Sequence, residues 1–116
     1  MDKKQLAINL SKLDVLEKPN IKLEQYQTEG ELASDILWKA LINEDIENKI
    51  IADFGCGNGI LGIGALLLGA KKVFFIDIDK KSIDLVEKNY EKLKLKNGVF
   101  LNKNIEEFNA EVDTVL

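Results

Sequence analysis

Ile50-Ile51-Ala52-Asp53-Phe54-Gly55-Cys56-Gly57-Asn58-Gly59-Ile60-Leu61-Gly62 is the stretch that decides the fold. Its first five residues form a short apolar run ending at glycines, the mark of a buried parallel strand. Its last three open the segment 60–68, apolar nearly all round, which predicts a helix buried against a sheet and closed by Gly69. Between them lies a glycine-rich turn. Without Cβ atoms such a turn can take positive φ and let a ligand approach the backbone. The helix N-terminus beyond it offers free N–H groups to electron-rich ligand atoms.

Towards the C-terminus, Val73-Phe74-Phe75-Ile76 reads as a second buried strand ending at Asp77. A helix is predicted from about Lys80, with Ile83, Val86, Tyr90 and Leu93 on one face. Asn97-Gly98 turns the chain into Val99-Phe100-Leu101, and a short segment at 105–109 leads to a last strand from Val112 to Leu116.

Towards the N-terminus, Leu6, Leu10 and Leu13 predict a surface helix over 3–17, stopped by Pro19-Asn20. Residues 21–27 read as an extended arm. Thr28-Glu29-Gly30-Glu31 fits a capping box, and the apolar face of Leu32, Ile36 and Ala40 continues a helix to about 43. The fold class is therefore α/β, a parallel sheet with right-handed crossovers. An N-terminal helix and arm (1–28) precede the main domain (29–116). Asp113-Thr114-Val115-Leu116 looks like the middle of a buried strand, whose apolar edge native proteins avoid exposing. The sheet is therefore expected to continue past the fourth strand.

The bulk numbers narrow the function class. The chain has 116 residues, enough for one domain, with 46% hydrophobic and 31% charged residues. No apolar run is long enough for a membrane span, and no export signal is visible, so a cytoplasmic location is expected. One cysteine, Cys56, makes neither a disulfide framework nor a metal site, and there is no histidine. No metal is expected. A net charge of −4 argues against gripping nucleic acid with the whole surface.

Two ligands compete for the glycine turn. Gly57-Asn58-Gly59-Ile60-Leu61-Gly62 matches the dinucleotide pattern, with Asp77 about 20 residues on. The same stretch also reads Asp53-x-Gly55-x-Gly57-x-Gly59. An acid two residues ahead of the first glycine favours a ligand carrying an ammonium group, which S-adenosylmethionine (SAM) has and a dinucleotide lacks. Asp77 is placed to accept from the ribose hydroxyls, Ile78 to pack on the adenine, and Asp79 to cap the next helix. Cys56 reads as a loop spacer, since nothing nearby would activate a thiolate.

Glu17-Lys18-Pro19, Leu23-Glu24-Gln25-Tyr26-Gln27-Thr28, Asp45-Ile46-Glu47-Asn48-Lys49, the glycine turn and Phe75-Ile76-Asp77-Ile78-Asp79 together carry a family resemblance over nearly the whole chain. It resembles the methyltransferase-like-five family of ribosomal RNA adenine-N6 methyltransferases in its archaeal form, which are Rossmann-like class I enzymes. The resemblance implies that Gln25 and Thr28 contact SAM, with Tyr26 as a wall. Gly55, Asn58 and Ile60 would line the pocket, largely through their backbone, beside Asp53, Gly57 and Gly59. Asn104 would stand where related enzymes place an acid that accepts from the adenine amino group, followed by Ile105. The family's Asn-Pro-Pro-Phe type motif follows the fourth strand. It is absent from these residues, whose single proline is Pro19, so no catalytic residue is named.

By the same resemblance the substrate is rRNA, the target base leaves its stack, and a small zinc-binding activator protein is the partner. A methyltransferase acting on a protein or small molecule, and a non-catalytic SAM-binding fragment, are the competing readings, because a fold does not fix its substrate.

Overall fold

The computed structural model describes residues 1–16 and 29–116. The helices are α1 (Lys3–Ser11), α2 (Gly30–Ile42), α3 (Ile60–Leu67) and α4 (Lys80–Lys92), and the strands are β1 (Ile50–Phe54), β2 (Lys72–Asp77), β3 (Gly98–Asn102) and β4 (Thr114–Val115). The strands form a parallel sheet in the order β3-β2-β1-β4. This is the expected α/β architecture. Among the described residues no helix is long and apolar enough to cross a membrane.

Strand alternation divides the sheet into two faces. One carries Phe75 and Phe100, stacked with centroids 5.3 Å apart, and receives α3 and α4. Tyr90 of α4 meets Phe100 edge-on at 5.0 Å, and its hydroxyl accepts from the Gly98 N–H. Gly62 of α3 lies so close to Phe75 that an added Cβ would stand 2.3 Å from the ring. The other face presents Phe54 and Phe74, each meeting Phe108 edge-on, at 5.5 and 5.3 Å. Leu6 and Leu10 of α1 and Leu37 of α2 are fully or almost fully buried in the same core as Ile51, Ile63 and Phe75.

Local signals were overridden in three places. Helix α1 ends at Ser11 instead of 17, because the Asp14 backbone turns aside to bond a side chain of α4. The N-cap of α2 is Glu29, which makes no side-chain cap bond, so the helix starts one residue later than a cap at Thr28 would give. There Gly30 meets α1 closely: an added Cβ would lie 3.0 Å from the Ala7 carbonyl oxygen. Strand β4 is confined to Thr114–Val115, shorter than 112–116. Its attachment begins earlier, at Asp113, whose N–H donates to the Ile50 carbonyl and whose carboxylate accepts from the Ile50 N–H. Val115 stays exposed at the sheet edge.

Candidate functional site

Parallel strands bring their C-terminal ends to one edge, where open α/β sheets bind ligands. Three segments meet there: the glycine turn after β1, Asp77-Ile78 after β2, and residues 103–105 after β3. The turn is fastened to β2, since the N–H groups of Gly55 and Cys56 both donate to the Ile76 carbonyl, at 2.8 and 3.2 Å. Gly59 has φ +85° and leads into α3. A Cβ added to Gly55 or Gly57 would meet nothing within 4 Å, so this side of the turn is open to a ligand.

Asp77 joins two of these segments. One carboxylate oxygen accepts from the Gly57 N–H at 3.1 Å and the other from the Asp79 N–H at 2.9 Å. Each oxygen has lone-pair capacity left for a second donor. Asp79 caps α4 as expected, accepting from the Lys81 N–H. Ile78 is 62% exposed beside them, an apolar surface for a flat ring. Asn102, which the sequence reading passed over, clamps this corner: its side-chain amide donates to the carbonyls of Asp77 and Ile78 at 3.1 and 3.0 Å.

Asp53 sits deeper, 3% exposed, its carboxylate accepting from the Gly62 N–H at 3.1 Å. It ties β1 to the first turn of α3. Burial pushes its carboxyl up to about 7; the Gly62 N–H pulls it part of the way back, and the charge of Asp77 adds to the rise. Between about pH 4 and 7 the folded chain therefore holds a proton that the unfolded chain has released. The stability this proton confers is complete below about pH 4 and is lost as pH rises through 7. Asp53→Asn should remove that dependence, gaining on the wild type by on the order of 4 kcal/mol between pH 4 and 8. Urea unfolding at several pH values checks this; parallel stability curves for the two proteins would refute it.

Cys56 is buried, and burial together with the charges of Asp53 and Asp77 pushes its thiol up, so it stays a neutral spacer. Asn58 is also buried: its side-chain amide donates to the Asp14 carbonyl, its Oδ1 accepts from the Ile60 N–H, and its own carbonyl accepts from Asn89. Its bonds shape the turn from within. Asn104 stands at the ligand edge, but its Oδ1 accepts from the Glu106 N–H in a capping box with Glu107, while Ile105 is half-exposed. Gln25, Tyr26 and Thr28 lie outside the described residues. No group of three or more metal-ligating side chains occurs among the described residues.

A family model for ribosomal protein L11 methyltransferase (PrmA) matches residues 10–116. The chain belongs to this methyltransferase family. SAM is accordingly the cofactor, and the dinucleotide reading of the glycine turn falls away. The open turn, with a carboxylate at the end of β2 and an exposed isoleucine beside it, suits a ligand made of a ribose and a flat base.

The chain is also 40% identical over 98 residues to the rRNA N(6)-adenosine-methyltransferase METTL5 of Danio rerio, covering 84% of this chain and 47% of that protein. A crystal structure from Pyrococcus horikoshii, provisionally described as an RNA methyltransferase, superposes with a TM-score of 0.91 at 44% identity, over 99% of this chain and 56% of that one. The magnesium protoporphyrin IX methyltransferase of Synechocystis, solved with bound SAH, gives a TM-score of 0.63 at 25% identity, over 72% of this chain and 38% of that one. The chain spans less than half the length of the first curated relatives it matches, 42% and 47%.

Proposed function

We propose that this family member methylates adenine N6 in RNA, with rRNA as its substrate. The observation that carries the reading is the 40% identity to an rRNA adenosine methyltransferase, which extends over 84% of the chain. The likeness to the P. horikoshii structure, over 99% of the chain, supports it and agrees with an archaeal form of the family.

SAM, when bound, supplies an activated methyl group on a sulfonium centre. The chain's own residues would hold and orient it. Asp77 would accept from the ribose hydroxyls while keeping Gly57 and Asp79 in place, and Ile78 would cover one face of the adenine. The backbone of the turn, open where a Cβ on Gly55 or Gly57 would stand, would lie against the ligand, with Gly59 and Ile60 carrying that wall into α3. Asp53, whose carboxyl ionises near pH 7 in the free chain, would place negative potential beneath the ammonium end once deprotonated. Gln25, Tyr26 and Thr28 would close over that end, and Asn104 and Ile105 would meet the far edge of the base. A small zinc-binding activator would supply positive charge that a chain of net charge −4 lacks. Work on ribosomal RNA would place the protein in the cytoplasm.

The competing reading is methylation of a protein, favoured by the family model's own description. Incubation with methyl-labelled SAM, rRNA and ribosomal protein, with and without a zinc-binding activator, separates the two. N6-methyladenosine in the digested RNA is the expected product. Label confined to the protein fraction would replace this reading with its competitor.

A further inference from the structure

We propose that Asn89, in the middle of α4, is a positioning residue for cofactor binding, locking the N-terminal segment 13–16 and the glycine turn in register. The proposal rests on the SAM reading above. Asn89 is 0% exposed. Its amide donates to the carbonyls of Asp14 and Asn58, both at 3.0 Å, and its Oδ1 accepts from the Asp14 N–H at 2.9 Å. Asn58 adds a bond to the same Asp14 carbonyl at 3.1 Å and, through Oδ1, holds the Ile60 N–H at the start of α3. One side chain thus joins segments 75 and 31 residues away in sequence.

A buried amide is an expensive way to fill a helix face. Unless every polar atom is bonded, its burial costs more than that of an apolar side chain, and deleting it alone takes a partner from each backbone group it bonds. Here both amide protons and the oxygen are used, and they go to two different segments. What the amide supplies and a leucine would not is geometry. It fixes the carbonyl of Asn58 within the turn and the direction in which the chain leaves Leu13.

The neighbourhood connects this lock to the ligand edge. Val86, one helical turn before Asn89, touches the place where a Cβ on Gly59 would stand. A cavity of about 260 Å³ is bounded by Leu10, Leu13, Val15, Gly30, Asn58 and Ile60, and so by both of the segments that Asn89 ties. Loss of the lock would leave the Asn58 amide's bond to the Asp14 carbonyl to hold the turn against segment 13–16, and would loosen both. The turn's backbone, open at Gly55 and Gly57, would then no longer be held in the shape a ligand needs.

Calorimetric titration of the full chain with SAM tests this, beside thermal unfolding of the same variants. Asn89→Ala should weaken SAM binding at least tenfold at a temperature well below its Tm. Asn89→Asp keeps the size and the acceptor for the Asp14 N–H but loses the paired donation, and should weaken binding comparably; it decides the matter if Asn89→Ala does not fold. Leu37→Ala, a fully buried core change in α2, serves as the stability control and should bind SAM like the wild type despite a lowered Tm. Asn89 variants that bind within twofold of the wild type would overturn the proposal, and so would an equal loss in Leu37→Ala. Failure of the wild-type chain to bind SAM is a different result: it removes the functional reading itself, and this proposal with it.

Discussion

Asp77→Ala should weaken SAM binding by roughly 1–3 kcal/mol, or about 5- to 150-fold, the loss typical of hydrogen bonds to a charged group. Two effects combine in that figure. The variant removes the acceptor for the ribose hydroxyls, and it also releases the N–H groups of Gly57 and Asp79, which the carboxylate bonds at 3.1 and 2.9 Å without any ligand. The first effect belongs to binding and the second to the shape of the free turn. Asp77→Asn separates them, because one amide oxygen can still accept from Gly57 or from Asp79 while the other position becomes a donor. Its affinity should fall between those of the wild type and Asp77→Ala. Titration with SAM measures both variants. Wild-type affinity in Asp77→Ala would show that the ribose lies elsewhere and would remove the main anchor from the proposed site.

Much of this site was legible because its signals are local. A five-residue apolar run, three spaced glycines and a second apolar run put β1, the turn and α3 in order, and Asp79 caps α4 as its position before Lys80-Lys81 suggested. What escaped were bonds between residues far apart in sequence. Pro19-Asn20 looked like the stop of α1, yet the helix ends at Ser11 because Asn89, 75 residues from Asp14, claims the Asp14 backbone. A hint of that was present: Asn89 interrupts the apolar stripe of Ile83, Val86 and Leu93, and a polar residue on such a stripe must find partners. Asn104 carried a second hint. Glu107 follows it by three residues, the spacing of a capping box, and the structure uses the pair in that way. Asn102 had no local sign at all, since its partners are the carbonyls of Asp77 and Ile78 on the neighbouring strand end.

The turn's geometry carries the other large effect. Gly59→Ala should destabilise the fold by roughly 2–5 kcal/mol, from two sources. An alanine held at φ +85° costs about 1–2 kcal/mol of backbone strain. Its Cβ would also stand 2.1 Å from Cγ2 of Val86 and 3.1 Å from Cδ1 of Ile63, and overpacking of this kind costs about 1–3 kcal/mol. Only the second part can be relieved from outside the turn. Val86→Ala removes the clashing methyl at the cost of a small cavity, so the double variant should lose less than the sum of the two single losses, by about 1–3 kcal/mol. The strain at Gly59 would persist in the double variant and leave it less stable than Val86→Ala alone. Urea unfolding of the four proteins yields the coupling. Strict additivity would mean that α4 does not press on the turn, and the path from Val86 and Asn89 to the ligand edge would lose its physical basis.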